Sequence, residues 1–282
     1  MDKKYDEMRL GIAAIVSPLE LPYIQEWVDW HREIGFTDFY ICLNDWHDEQ
    51  VAQLSRMMWR GMEQGWFHIW KVDGLNMQVR AYNQILRLAL IDGIEAFGGI
   101  PTTERHVDWL AFIDIDEFIK IRSSNRTLKQ ILNPFCEVAP SVALNWRLYG
   151  SSGLEKVENG NYSVLDRFKK CGRRLHHLVK QVVNLQWWRD RPAYVPMFMT
   201  PHSLNCQSVG LEWETLDGPL NENNLDKPRE VEVAHYVTKS IQEFLVRRRY
   251  RRADTGLPRE DLDKFWAEHD VNEIDEGGIK YA

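Results

Sequence analysis

The sequence predicts an α/β fold with a Rossmann-like, mostly parallel central sheet flanked by helices, and three observations predict it. Apolar strand-like runs alternate with helical segments from Arg9 to Val72, the βαβαβ pattern that gives parallel strands and right-handed crossovers. The run Trp109 to Ile113 is apolar at every position, as a strand buried on both faces must be. It then stops in Asp114, Asp116 and Glu117, and open α/β sheets bind ligands beyond the carboxyl ends of their strands.

Arg9 to Ser17, rich in Ile, Val and Ala, reads as the first strand. Glu20 to Ile34 follows as a helix with Ile24, Trp27, Val28 and Ile34 in helical spacing, stopped by Gly35. Asp38 to Leu43 is a second strand ending in Asn44-Asp45, Gln50 to Met62 a second helix, and Trp66 to Val72 a third strand. A long helix, Gln78 to Phe97, carries Tyr82, Ile85, Leu86, Ala89 and Leu90 as its apolar stripe and leads into the acidic strand. After Phe118 the pattern loosens. A short helix from Thr127 to Leu132 ends at Pro134, and Ser141 to Tyr149 forms a strand running into Gly150-Ser151-Ser152-Gly153. From there to Asn224 the chain breaks into short strand-like pieces between Gly, Pro and Asn. Val231 to Tyr236 is a late strand, and Ser240 with Glu243 forms a capping box that opens a basic helix. Pro258 opens a final helix reaching Glu268.

At 282 residues with 44% hydrophobic and 27% charged content, the chain is an ordinary globular sequence able to bury a full core. A net charge of -7 argues against a general nucleic-acid binder. The longest early apolar run, Ile12 to Val16, is far short of a membrane span and no signal-peptide pattern precedes it, so a cytoplasmic location is expected. Cys42, Cys136, Cys171 and Cys206 are scattered without pair spacing, which fits reduced thiols. In that setting Asn125-Arg126-Thr127 and Asn161-Tyr162-Ser163 are chance sequons.

Asp114 and Asp116 carry the chemistry. Strand alternation would point both the same way, and hard carboxylate oxygens suit Mg²⁺ or Mn²⁺ completed by substrate phosphates. A strand followed by a solvated acidic turn is the plainer reading of the same residues. His235 is a possible third ligand, because imidazole suits Mn²⁺, although a lone His is more often a core residue. Lys239 and an Arg such as Arg249 could neutralise a leaving diphosphate held by that metal. Arg247, Arg248, Arg249, Arg251 and Arg252 cluster in a chain that is otherwise acidic. The cluster reads as a solvated helix face, or as a peripheral contact with the inner membrane face.

Several segments recur in a telling order. They are Glu20-Leu21-Pro22-Tyr23-Ile24-Gln25-Glu26-Trp27 with His31 and Gly35; Phe39-Tyr40-Ile41 before Asn44-Asp45; Ala81-Tyr82-Asn83; Phe112-Ile113-Asp114-Ile115-Asp116-Glu117-Phe118; Trp146 with Tyr149-Gly150-Ser151-Ser152-Gly153; and His235-Tyr236 with Thr238-Lys239-Ser240. From the first strand to about Asp254 this arrangement resembles glycosyltransferase family 92 and its bacterial relatives near glycosyltransferase family 2. The resemblance implies a GT-A fold, a nucleotide-diphosphate sugar donor and Mn²⁺ or Mg²⁺ at the Asp-x-Asp motif. Asp114 and Asp116 would then form the metal and donor site, with His235 as a further ligand. Glu20, Asn44 and Asp45 would line the nucleoside pocket, Tyr82 and Asn83 would lie on the donor side, and Lys239 would meet the diphosphate. The family usually has Lys-Asn-Glu at the end of the first strand. Here Ser17-Pro18-Leu19-Glu20 stands there and only Glu20 matches.

Under that resemblance the chain is one GT-A-like domain over 1–282, with residues 1–118 as the nucleotide-sugar half, 119–236 as the acceptor half and 237–282 as a C-terminal helical segment. The acceptor would be a glycan or lipid-linked glycan in cell-surface polysaccharide synthesis. Trp146, Ser151 and Ser152 would contact it; Trp146, Trp187 and Trp188 offer flat apolar faces to a sugar ring, or simply fill the core. An inverting transfer needs a carboxylate to deprotonate the acceptor, and Asp190, Glu212, Glu214 and Asp217 are the candidates. Two other functions fit the same motif. A haloacid-dehalogenase-like phosphatase would use Asp114 as nucleophile and Asp116 as acid-base, though such enzymes carry the motif near the chain start and follow it with Thr or Val. A catalytically silent GT-A-like domain would only bind a glycan or partner, with no need for two crowded acids.

Overall fold

The computed structural model describes residues 7–90, 107–122, 125–249 and 261–278. In chain order its elements begin β1 (Leu10–Val16), α1 (Ile24–Glu33), β2 (Phe36–Asn44), α2 (Asp48–Met57), α3 (Trp59–Glu63), β3 (Phe67–Val72), α4 (Gln78–Leu90) and β4 (Trp109–Phe112). Next come β5 (Glu117–Ile121), α5 (Leu128–Leu132), β6 (Ser141–Leu148), α6 (Val164–Arg167), β7 (Lys170–Cys171), β8 (Val179–Asn184) and α7 (Leu185–Arg189). The chain continues through β9 (Phe198–Thr200), β10 (Ser203–Leu204), β11 (Ser208–Gly210), β12 (Thr215–Leu216), β13 (Val231–His235), α8 (Ile241–Arg248), α9 (Leu262–His269) and β14 (Ile274–Asp275).

The main sheet runs β12-β11-β6-β8-β4-β1-β2-β3, with β13 bridging β6 to β5. β5, β8 and β12 run against the other strands. β3-β2-β1-β4 is the parallel half expected from the alternation, in register through pairs such as Ile12↔Phe39, Ile12↔Ala111 and Ile41↔Ile69. Its central strands β1 and β4 are apolar on both faces and buried throughout because helices cover both. Among the described residues no helix is long and apolar enough to cross a membrane, and all four cysteines are free thiols.

Several boundaries differ from expectation for local reasons. Pro18 and Pro22 hold residues 18–23 in a 3₁₀ turn, so the first α-helix starts at Ile24 rather than Glu20. The second helix breaks at Met58 into α2 and α3. Close packing on β3 fixes the second piece, since a Cβ on Gly61 would lie 2.7 Å from the Trp66 ring. Of the long helix, Gln78–Leu90 is present and 91–97 lies outside the described residues. Pro258, Arg251 and Arg252 also lie outside them; the last helix runs Leu262–His269.

The main surprise is β8. Val179–Asn184 comes from the region that reads as broken pieces, yet it is fully buried and inserts antiparallel between β4 and β6. It carries Lys180 into the core, to the end of β4 where the acids sit. A second buried charge sits on β6. Arg147 forms a bidentate pair with Glu232 of β13 and donates to the carbonyls of Gly172 and Arg173, which satisfies a guanidinium that would be costly alone.

Candidate functional site

Strand geometry ends at Phe112, two residues before Asp114, so the acids do not continue the strand's alternation. Ile113 still donates to the Ala13 carbonyl at 3.1 Å, and then the chain turns. The turn closes on itself: Asp114 N–H donates to Glu117 Oε2 at 2.9 Å and Glu117 N–H to the Asp114 carbonyl at 3.0 Å. Tyr236 N–H ties the Asp116 carbonyl to the end of β13 at 2.8 Å. The two aspartates are therefore separated by a turn, and their carboxylates face different neighbours.

Asp114 faces α4 and β8. Gln78 and Tyr82, one turn apart on α4, donate to its Oδ1 at 2.7 and 3.1 Å, and Lys180 Nζ donates to its Oδ2 at 2.9 Å. Lys180 also lies 3.4 Å from Glu117 Oε2. Burial works against its ammonium, but Asp114 and Glu117 outweigh that and raise its pKa. For Glu117 burial wins over Lys180 and the carboxyl is pushed well above its usual range. One buried lysine thus serves two acids.

Asp116 faces β13 and α8. It is completely buried, with Arg247 Nη1 in direct contact with Oδ2 and His235 Nε2 3.7 Å from the same oxygen. Burial alone would raise its pKa; Arg247, Lys239 and His235 outweigh it and hold the carboxyl well below its usual range. Arg247 also reaches toward Glu20 Oε1 at 3.9 Å. Burial lowers Lys239 and raises Glu20, each partly offset by its opposite charge across the site. α8 is aimed by its N-terminus. The Ser240–Glu243 capping box holds Glu243, which accepts two bonds from Arg167 at 2.8 Å and one from Tyr23 at 2.6 Å.

The donor set can be tested for a divalent ion. Among the described residues no three His, Cys, Asp or Glu side chains are grouped to hold a metal by themselves. Asp114 has both oxygens engaged. Asp116 Oδ1 and His235 Nδ1, in contrast, are buried without a hydrogen-bond partner among the described residues, and buried polar atoms are rarely left so. A carboxylate oxygen and an imidazole nitrogen are ligand types that Mn²⁺ accepts, with further ligands from phosphate and water; the His235 nitrogen turned toward Asp116 is Nε2. Arg247, which touches Asp116, lines a cavity of about 420 Å³ together with Ser17, Glu20, Tyr23, Tyr162 and Lys239 among others.

The structure thus brings together Asp114, Asp116, His235, Lys239, Glu20 and Tyr82. Trp146 joins them: its ring centroid is 4.2 Å from that of His235 and 5.0 Å from that of His202, with Lys180 Nζ at 5.9 Å. The other expected residues are engaged elsewhere. Asn44 and Asp45 bond the 72–74 segment after β3. Asn83 clamps Phe198 through both its N–H and its carbonyl. Ser151 N–H donates to Asp270, while Ser152 N–H donates to Asn272 and its hydroxyl accepts from Lys169 and Lys170, so both hold the C-terminal segment.

Arg249 is exposed at the end of α8, and Arg247 is the arginine that meets the acids. Asp190 caps α7 beyond the end of β8. Because β8 is antiparallel to β4, that is the sheet edge away from Asp114. Asp217 is exposed in the turn after β12, and Glu212 and Glu214 pair with Arg229. Trp188 is core, and Trp187 lies under Arg191. Gln78, Lys180 and Arg247 were not singled out by sequence. A lysine inside the apolar run Leu178–Val183 was the available signal for Lys180.

No protein-family model and no curated protein matches this chain. Among solved structures, TarS residues 1–349 from S. aureus in complex with UDP is similar at TM-score 0.38 and 11% identity. The match covers 67% of this chain and 50% of that one, so this chain spans half the length of that neighbour. An active-site mutant of LgtC matches at TM-score 0.34 and 12% identity over 80% of this chain and 86% of that one. The mannosyltransferase Ktr4p from S. cerevisiae matches at TM-score 0.27 and 10% identity, covering 52% and 41%.

Proposed function

We propose that the chain is a metal-dependent glycosyltransferase of GT-A type. It moves a sugar from a nucleotide-diphosphate donor to a hydroxyl of a glycan or lipid-linked glycan, in cell-surface polysaccharide synthesis on the cytoplasmic face of the membrane. One observation carries the reading: Asp116, fully buried beyond the carboxyl end of β4, has Arg247, Lys239 and His235 converging on it beside an open cavity. Such an arrangement of fixed cations suits a leaving group that gains negative charge.

Asp116 and His235 would hold Mn²⁺ or Mg²⁺, which would supply positive charge to neutralise the leaving diphosphate. Arg247 moves from Asp116 onto the diphosphate as the donor enters, and Lys239 lies on the same side. Lys180, Gln78 and Tyr82 hold the Asp114 carboxylate in one orientation at the donor side. Glu20 lines the cavity, where it counterbalances Arg247 in the free protein.

The test is a thermal-shift panel of UDP, GDP, CDP and dTDP and their sugars, each with Mn²⁺ and with chelator. One nucleotide is expected to raise the melting temperature, and by more with metal than with chelator, because ligand at 100 times its Kd stabilises by about 2.7 kcal/mol. No shift with any member would overturn the reading. The phosphatase alternative asks the Asp114 carboxylate to attack phosphorus, which would weaken the bonds it accepts from Gln78, Tyr82 and Lys180. Para-nitrophenyl phosphate with Mg²⁺ is therefore expected to stay intact, and steady hydrolysis abolished by Asp114→Asn would favour the phosphatase instead.

A further inference from the structure

A second cavity, of about 270 Å³, opens where Pro228–Glu230 lead into β13, the opposite end of that strand from His235. At about 3.3 Å per strand residue this puts it roughly 15 Å from Asp116. Its wall is Trp213, at the tip of the β11–β12 hairpin. The indole stacks on Phe135 with ring centroids 4.3 Å apart and planes tilted 26°, yet 55% of Trp213 stays exposed.

The hairpin works to present that ring. Trp213 sits in the left-handed region at φ 65, where bulky residues are rare, and such strain collects at ligand sites. It is held by Trp213 N–H to the Gly210 carbonyl at 3.0 Å and Gly210 N–H to the Glu214 carbonyl at 2.8 Å. A Cβ at Gly210 would fall 2.2 Å from the Glu214 side chain and would displace it from Arg229 and Asn221.

The polar floor is Arg229, only 3% exposed. Its Nη2 donates to Glu214 and the Asn223 carbonyl, and its Nη1 lies 3.0 Å from Glu212. Neither Nε nor Nη1 has a partner in hydrogen-bonding geometry among the described residues. Arg126 and Glu230 pair at 2.8 Å on the rim. Every arginine is matched by a glutamate, so the cavity offers donors and acceptors side by side with little net charge. That combination with an open aromatic face suits vicinal hydroxyls on an uncharged ring, and the volume lies below the roughly 300–1,000 Å³ of drug-sized pockets.

We propose that this cavity, formed by Trp213, Phe135, Arg229 and Glu212, binds a neutral sugar residue of a glycan. The inference rests on the glycosyltransferase reading, to which it adds a subsite that retains a polymeric acceptor away from the transfer centre. Trp213 supplies the stacking face, and Glu212 and Arg229 receive the hydroxyls.

The experiment uses the full chain labelled with fluorotryptophan, its Trp213 resonance assigned by loss in Trp213→Phe. Maltotetraose, cellotetraose and the tetramer of N-acetylglucosamine are titrated to millimolar levels with chelator and without nucleotide. At least one is expected to move the Trp213 resonance, and titration calorimetry is expected to give an affinity about tenfold weaker in Trp213→Ala and also weakened in Glu212→Gln. Asp116→Asn should bind it unchanged. A resonance unmoved by all three sugars, or equal affinity in Trp213→Ala, overturns the subsite. Loss of binding in Asp116→Asn would place the sugar at the transfer centre and overturn the subsite alone. A failed nucleotide panel alongside sugar binding at Trp213 would overturn the transferase reading while the sugar site stands.

Discussion

Replacing Asp116 by Asn is expected to slow sugar transfer by about 100- to 1,000-fold, the usual cost of one preorganised electrostatic group, while the chain stays folded. The amide keeps the shape of the carboxylate, and the backbone bond from Tyr236 to the Asp116 carbonyl is untouched. What goes is the charge. Arg247 loses its partner, but its side chain is 27% exposed and can turn to water or to Glu20, so the penalty falls on chemistry more than on folding. The informative readout is the metal. In the variant, nucleotide should still produce a thermal shift through Lys239 and Arg247, but Mn²⁺ should no longer enlarge it. Nucleoside diphosphate release at the wild-type rate would remove Asp116 from the reaction.

Asp114 makes a useful contrast. Its carboxylate is braced by Gln78, Tyr82 and Lys180, three side chains from two elements, so it is less free to turn toward a metal than Asp116 Oδ1, which has no partner among the described residues. Bracing of this kind suits a group that must hold one orientation toward a donor. It suits a nucleophile poorly, because attack would have to break the bond from Lys180 and leave a buried ammonium without its acid.

The parallel half of the sheet was legible because its signals are local. Apolar runs, amphipathic spacing and the abrupt acids after Ile113 all lie within a few residues of each other, and β1, β2, β3, α4 and β4 follow them. β8 was not legible. Its apolar run is only six residues long, among Gly, Pro and Asn, and its place is set by pairing with β4, some seventy residues earlier. Register with a distant strand leaves no periodicity to read. The same limit governs the site. Asp114 and Asp116 share a motif, but Lys180 and Arg247 reach them from 66 and 131 residues away. Within the basic cluster only helix phase distinguishes Arg247 from Arg249, and the phase depends on where Ser240 starts α8. His31 is a different case: it belongs to a segment resembling the family motif, and its work is structural.

That work sets a pH dependence. His31 is fully buried, with Nδ1 2.7 Å from the Trp27 carbonyl and Nε2 3.2 Å from the Ile119 N–H. The carbonyl needs a donor and the N–H an acceptor, so only the neutral ring with its proton on Nδ1 satisfies both. Protonating Nε2 would set two N–H groups against each other. Burial accordingly lowers its pKa from 6.5 to about 3. Between those values the unfolded chain binds the extra proton and the folded chain does not. The contribution of His31 is therefore fully present above pH 6.5 and is lost as the pH falls through that window. By linkage the loss at pH 4.5 is about 2.7 kcal/mol. His176 and His202, each lowered to about 4 mainly by burial, act in the same direction, whereas Glu20 and Glu117, raised by burial, oppose it. The clean measurement is therefore a difference. Urea midpoints of the wild type and His31→Gln, whose amide can donate and accept without titrating, should converge as the pH drops from neutral to 4.5, because only the wild type loses this term. Parallel pH profiles would show that His31 takes up its proton in the folded state and that the Ile119 contact does not hold it neutral.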